Sequence, residues 1–116
     1  WTERTVDRTF ANDLTLGTVR WAPAGPDAVA LEIAWSGATD GSAPIKVFVH
    51  LCDEAGRPVA QHDTLLAGPT QRHGLLLPVD RPAHLSLRIG LYDPNTGERV
   101  PLRDGGDAVD VGQLPL

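Results

Sequence analysis

Two strand–turn–strand patterns constrain the fold of this chain more than any other feature. In residues 45–53 and again in residues 85–92, apolar and polar side chains alternate with period two, and each segment leads into a turn that contains Gly56 or Gly97. Period two is the repeat of a β-strand with one buried face. Since no window of about 11 residues keeps a helical apolar stripe free of Gly and Pro, the pattern predicts an all-β fold.

Short segments of this kind recur along the whole chain, separated by turns rich in its 12 Gly and 10 Pro. The predicted strands cover residues 5–10, 14–22, 28–36, 45–53, 59–66, 75–79, 83–92, 99–102 and 108–113. About seven to nine strands at this spacing indicate an antiparallel β-sandwich, either immunoglobulin- or fibronectin-III-like or jelly-roll-like. A length of 116 residues favours one domain, so we expect a single sandwich over residues 1–116.

The alternation also assigns side chains to faces. The rows expected to face the core are Leu31, Ile33 and Trp35, then Ile45, Val47, Val49 and Leu51, then Leu85, Leu87, Ile89 and Leu91. Trp21 is expected to join them from the preceding strand.

The first hairpin leaves two registers open. A three-residue loop over residues 54–56, with Gly56 in the left-handed region, pairs Asp53 with Arg57. Regular pairing beyond that point gives one register, and a β-bulge after Val59 gives the other.

The two registers place polar residues on opposite faces. We expect the regular register, in which Gln61 and Asp63 face the core as structural polar residues and form hydrogen bonds with a neighbouring loop, residues 68–74. In that register Phe48, His50 and His62 share the outer face.

Charge excludes two classes of partner. The net charge is −5, from 10 Lys and Arg against 15 Asp and Glu, with no basic cluster. Nucleic-acid binding needs a basic surface that neutralises phosphates, and docking on anionic lipid needs the same. We therefore expect no nucleic-acid partner.

No segment approaches the roughly 20 apolar residues of a membrane span, so we expect no membrane insertion by this segment.

The single cysteine, Cys52, is predicted to be a buried structural residue. It has no second cysteine for an internal disulfide. A nucleophilic thiol needs an electropositive setting, whereas the neighbouring Asp53 and Glu54 raise a thiol pKa.

The four histidines raise the question of a metal site. They are His50, His62, His73, which is expected in a loop, and His84, which is expected to open a strand. The sequence has neither the CxxC nor the HxxxH spacing of a structural zinc site, and residues 93–98 match a tight turn better than a calcium loop. With no P-loop, dinucleotide fingerprint or nucleophile motif either, we expect no cofactor, no metal and no catalytic residue.

Ligand contact is the remaining possibility for the polar face. The candidate contact residues are Phe48, His50, His62 and Tyr92, because their positions fall on the outer faces of strands. An exposed aromatic ring can stack on a sugar. The competing explanation is that these rings pack against cross-strand neighbours and cover the sheet.

Two segments resemble a known module. Residues 47–63 read VFVHLCDEAGRPVAQHD, and residues 89–101 read IGLYDPNTGERVP. Together they resemble the C-terminal, extracytoplasmic β-sandwich module of bacterial membrane glycosyltransferases that use lipid-linked sugars, similar to the dolichyl-phosphate-mannose protein mannosyltransferase group. The chain departs from the family pattern at residues 70–74, which are shorter and lack the usual Trp.

The resemblance implies a non-catalytic accessory domain, part of a longer membrane protein, on the extracytoplasmic face of a bacterial membrane. Its partner would be a glycan or the membrane-embedded part of its own parent chain, and no catalytic residue carries over. One alternative is a free-standing carbohydrate-binding or adhesion β-sandwich. Another is a small metal-binding or hydrolytic protein that uses His50, His62 and Asp63.

Overall fold

The computed structural model describes residues 1–39, 44–82 and 84–114. These residues form eight strands and no helix, which confirms the all-β prediction. The strands are β1 (Thr2–Thr9), β2 (Thr15–Pro23), β3 (Ala28–Ser36), β4 (Lys46–Cys52), β5 (Pro58–Leu65), β6 (Thr70–Leu76), β7 (Ser86–Tyr92) and β8 (Val109–Gln113).

The strands form two antiparallel sheets that pack as a β-sandwich, as predicted. The first sheet has the order β1-β2-β3-β6 and the second the order β5-β4-β7-β8. The chain passes between the sheets after β3, after β5 and after β6. In the immunoglobulin order the second strand lies beside the fifth, whereas here β2 lies between β1 and β3.

The core lies between the sheets and contains the predicted rows. Leu31, Ile33 and Trp35 of β3 and the inward residues of β4 and β7 are buried, with Ile45 partly buried at the rim. Trp21 is buried as well. Because every second residue of the central strands is apolar, each strand contributes one continuous row to the core.

Two connecting segments differ from the prediction. The expected strand over residues 99–102 consists of two isolated bridges, which pair Tyr92 with Arg99 and Phe10 with Leu102. These bridges bring the loop after β7 across the end of the sandwich, where the side chains of Phe10 and Leu102 are buried. β7 begins at Ser86, and Ala83, where its start was expected, lies outside the described residues.

Strand β6 was assigned to the wrong residues. It covers Thr70–Leu76 rather than residues 75–79, so His73 is a buried strand residue and not a loop residue. Its inward positions alternate as Gln71, His73 and Leu75, and the first two are polar. An edge strand whose buried positions are polar lacks the apolar alternation by which strands are recognised.

The β4–β5 turn forms as expected. The backbone N–H of Asp53 donates to the carbonyl oxygen of Arg57 at 2.9 Å, and Gly56 has a φ of 80°. The side chain of Asp53 accepts hydrogen bonds from the backbone N–H groups of Ala55 and Arg57 at 3.0 and 2.9 Å.

The register beyond that turn is the bulged one, so the regular register was wrong. Leu51 pairs with Ala60 and Cys52 pairs with Pro58, which leaves Val59 as the extra residue. The bulge keeps the carboxylate of Asp63 out of the apolar core, where an unpaired charge is costly. Val59 and Ala60 instead both pack against the core.

Both open ends of the sandwich are closed by polar side chains. At the β1–β8 end, the guanidinium group of Arg4 donates to the carbonyl oxygens of Val111 and Gln113 at 2.6 and 3.2 Å. The same group lies 5.2 Å from the ring centroid of Trp21, over its face. The β5–β6 end is closed by His62 and His73, whose nitrogen atoms are 2.9 Å apart.

The core assignment predicts that alanine substitutions at two leucines differ in their effect on the free energy of unfolding. Leu87→Ala removes a side chain that is 0% exposed, whereas Leu76→Ala changes one that is 81% exposed. We expect Leu87→Ala to lower the free energy of unfolding by about 2–5 kcal/mol, and Leu76→Ala to change it by less than about 0.5 kcal/mol. Urea denaturation of the two variants measures this, and equal losses would contradict the packing.

Candidate functional site

A concavity of about 190 Å³ lies on the outer face of the second sheet. Its lining residues are Phe48, His50, Asp63, Tyr92, Gly97 and Arg99. Three of the four predicted contact residues, Phe48, His50 and Tyr92, therefore lie together. His62 does not, because it faces the interior between the two sheets.

The pairing register of the strands brings four of the lining residues, Phe48, His50, Asp63 and Tyr92, to this face of the sheet. Phe48 and His50 are two residues apart on β4, so both point outwards. Asp63 lies directly opposite Phe48 on β5, and Tyr92 lies on the neighbouring strand β7. Asp63 reaches this face only because of the bulge at Val59, so the bulge is part of the site.

The predicted polar residues Gln61 and Asp63 therefore do not hold the loop over residues 68–74. Gln61 is an exposed residue of β5. Asp63 accepts a hydrogen bond from the hydroxyl of Tyr92, with 2.9 Å between the oxygens. Burial raises the pKa of Tyr92, and its hydrogen bond to Asp63 and the charge of Asp63 raise it further. The phenol therefore stays protonated at neutral pH and donates to the carboxylate.

Phe48 forms the floor of the concavity and is not an exposed stacking surface. It is only 3% exposed. Its ring centroid lies 4.8 Å from that of His50 and 6.4 Å from that of Tyr92, and the guanidinium of Arg99 lies 4.5 Å above it. Cross-strand packing thus explains Phe48, while Tyr92 keeps part of its surface at the rim.

Gly90 creates the space in which the Phe48 ring lies. The two residues are directly paired on β7 and β4. A Cβ atom at position 90 would overlap the Phe48 ring and lie 3.0 Å from the carbonyl oxygen of Asp107. A glycine inside a strand often marks such a close approach of another group.

The turn over residues 93–97 positions Arg99 above Phe48. The side chain of Asp93 accepts a hydrogen bond from the backbone N–H of Asn95 at 2.8 Å, and Gly97 has a φ of 76°. This confirms the expected tight turn. Arg99 also lies 3.4 Å from the carboxylate of Asp107.

Cys52 lies on the same face, next to the concavity, and is buried. Burial raises the pKa of its thiol, the guanidinium of Arg88 lowers it, and Asp53 and Asp110 raise it. The net effect is a raised pKa, which keeps the group a thiol at neutral pH, as expected for a structural cysteine.

His62 belongs to a hydrogen-bonded chain between the sheets. The Nδ1 atoms of His62 and His73 are 2.9 Å apart, with the rings edge to face. His73 Nε2 lies 3.2 Å from Gln71 Oε1, and the amide of Gln71 donates to the carbonyl oxygen of Leu65 at 2.8 Å. His62 was therefore wrongly placed on the outer face.

These hydrogen bonds determine which ring nitrogen of His73 carries the proton. The amide oxygen of Gln71 can only accept, so Nε2 of His73 carries the hydrogen. Neutral His73 then accepts at Nδ1 a hydrogen bond donated by Nδ1–H of His62. Burial lowers the pKa of His73 to about 4, helped by the charge of His62 and opposed by that of Asp63.

Within the described residues, no group of three or more His, Cys, Asp or Glu side chains is arranged to hold a metal ion. Among the same residues, no helix has the length and apolar character needed to cross a bilayer.

Sequence reasoning did not single out Arg88, Gly90 or Arg99 as site residues. Arg88 and Gly90 carry a usable signal, because period two places them on the same face as Tyr92. Arg99 carries none, since its position over Phe48 depends on the path of the loop after β7.

Comparison of the chain with protein-family models, with curated proteins and with solved structures gives no match. The resemblance to the glycosyltransferase module remains a prediction.

The contact between Gly90 and Phe48 predicts a position-specific effect of a methyl group. Gly90→Ala forces the Phe48 ring to move, so we expect it to lower the free energy of unfolding by about 1–3 kcal/mol. Gly74→Ala is the control, because Gly74 is also a strand residue and a Cβ there meets no atom within 4 Å. Differential scanning calorimetry measures both, and a neutral Gly90→Ala would refute the close approach.

The histidine pair predicts a loss of stability in acid. His73 has a folded pKa of about 4 against an ordinary value of 6.5. The stability that comes from neutral, buried His73 is thus fully present above about pH 6.5 and is lost as the pH falls towards 4. The free energy of unfolding changes by roughly 3 kcal/mol over this range. Urea denaturation between pH 4 and 7 measures this. We expect His73→Gln to flatten the profile and the exposed His84→Gln to leave its slope unchanged. Identical slopes in wild type and His73→Gln would exclude the assignment.

Proposed function

We propose that this domain is a non-catalytic accessory module that contacts glycans through the concavity on its second sheet. We further propose that it belongs to a membrane glycosyltransferase-like protein and lies outside the cytoplasm. The resemblance of residues 47–63 and 89–101 to the extracytoplasmic module supports this second part.

One observation carries the proposal. All six residues that line the concavity, Phe48, His50, Asp63, Tyr92, Gly97 and Arg99, fall within the two segments that carry the resemblance. The segments are far apart in the sequence, and antiparallel pairing of β4 with β5 and β7 brings them to one face. The residues that carry the resemblance thus also form the surface depression of this chain.

The chemistry of the lining suits a hydroxylated ligand. A sugar presents hydroxyl groups that donate to a carboxylate and accept from a guanidinium, and Asp63 and Arg99 supply these two groups. The partly exposed ring of Tyr92 offers an apolar surface to the C–H face of a pyranose. The hydrogen bond from Tyr92 fixes the Asp63 carboxylate in place before a ligand arrives, which lowers the entropic cost of binding.

The proposal predicts sugar binding that depends on Asp63 and Tyr92. A glycan array and lipid-linked sugars presented to the purified chain should give a reproducible ligand. Asp63→Asn removes a charged acceptor worth about 1.5–3 kcal/mol and should weaken binding roughly tenfold or more. Tyr92→Ala should weaken it as well, because both the ring and the hydroxyl are lost.

Two further variants separate the contributions. Tyr92→Phe keeps the ring and removes only the hydrogen bond to Asp63, so its loss should be smaller than that of Tyr92→Ala. Asp80→Asn, at an exposed turn, is the matched control for charge and should bind as wild type does. No reproducible glycan, or equal losses in Asp63→Asn and Asp80→Asn, would rule out the concavity as the contact site.

A further inference from the structure

A second cleft, of about 240 Å³, lies beside the concavity on the same sheet face. The two depressions share Phe48, His50 and Arg99, and we call them together the groove, with one depression at each end. The Asp63 and Tyr92 side chains mark one end, and Arg88 marks the other.

The Arg88 end holds two guanidinium groups, those of Arg88 and Arg99, and one carboxylate, that of Asp107, in its lining. The carboxylates of Asp53 and Asp110 also act on this end, since both raise the pKa of Cys52, which lines the same cleft. Arg99 and Asp107 lie 3.4 Å apart and both are about half exposed, so this ion pair is weak. One side of the groove therefore offers guanidinium donors to an anion although the chain as a whole is acidic.

Arg88 has unused hydrogen-bond donors. Within the described part of the chain, no carboxylate forms a salt bridge with it. Asp110, its register partner on β8, accepts a hydrogen bond from the backbone N–H of Gly112 at 2.9 Å instead. The guanidinium extends towards the β4–β5 turn, where both terminal nitrogens lie 3.9 Å from the position of a Cβ on Gly56. A side chain at position 56 would narrow the space beside these donors.

We propose that the groove binds an acidic saccharide, with sugar hydroxyls at the Asp63–Tyr92 end and the oxyanion at the Arg88 end. The inference rests on the proposed glycan contact and names the class of glycan. Guanidinium groups recognise carboxylate and phosphate oxygens through paired N–H donors, and Arg88 and Arg99 supply them here. A uronic acid and a sugar phosphate share this chemistry, and the experiment distinguishes them.

His50 connects the two ends and reports on their occupancy. Burial lowers its pKa, Asp63 raises it, and the guanidinium groups of Arg99 and Arg88 lower it further. An oxyanion beside the two guanidinium groups offsets their charge, so binding should raise the pKa of His50. This shift is visible in the imidazole proton resonances and does not depend on enzymatic activity.

The experiment titrates the purified chain with glucose, glucuronate, glucose 1-phosphate and inorganic phosphate, followed by calorimetry and by the His50 resonances. We expect glucuronate or glucose 1-phosphate to bind at least about tenfold more tightly than glucose and to raise the pKa of His50. Arg88→Gln should abolish this preference for the acidic saccharide over glucose. Arg72→Gln, an exposed arginine on the opposite sheet, is the matched control and should keep the preference.

Each other result overturns the inference. If glucose binds as tightly as both acids, the Arg88 end is not an anion subsite, and the proposed glycan contact still stands. If inorganic phosphate binds as tightly as glucose 1-phosphate, the sugar contributes nothing and the groove is not continuous. If no saccharide binds, both this inference and the proposed function fail. A loss of preference in Arg72→Gln equal to that in Arg88→Gln shows a general charge effect and likewise excludes the subsite.

Discussion

The single extra residue at Val59 determines which side chains of β5 lie on either side of the second sheet. A strand has a period of two, so one inserted residue exchanges the faces of every residue that follows. Past the bulge, His62 points between the sheets and Asp63 points to solvent. The hydrogen bond to Tyr92 and the pairing with His73 both follow from this one backbone feature. The outer concavity and the closure of the sandwich edge are therefore not independent.

The sandwich closes its two ends with different chemistry. At the β1–β8 end, the guanidinium of Arg4 donates to backbone carbonyls of β8. At the β5–β6 end, two imidazoles meet, and their contact requires at least one of them to be neutral. Edge strands carry unpaired backbone groups that favour association with other chains. The end closed by His62 and His73 is the one whose protection depends on pH.

How well the sequence predicts the strand and the face of a residue depends on where that residue lies in its sheet. The central strands β3, β4 and β7 bury strictly alternating apolar rows, and their faces were predicted correctly. The edge strand β6 was placed at the wrong residues because its inward Gln71 and His73 are polar and find their partners in each other and in β5. Phe48, His50 and Tyr92 were each predicted on the outer face of a strand, since period two suffices for that, and the pairing of β4 with β7 brings them together. Asp63 and Arg99 joined them through a bulge and a loop path, which local pattern does not encode.

The depth of the groove depends on the absence of a Cβ atom at Gly90. Because residue 90 has no side chain, the Phe48 ring occupies the position that a Cβ atom would take there, and the guanidinium of Arg99 lies over the ring. Any other residue there would lift the ring and raise the charge above the strand surface, towards bulk water, where it attracts an anion less strongly. The shape of this surface thus depends on residue 90, which would contact no ligand itself. Among proteins that share this fold, retention of glycine at that position would distinguish those that keep the depression from those that have filled it.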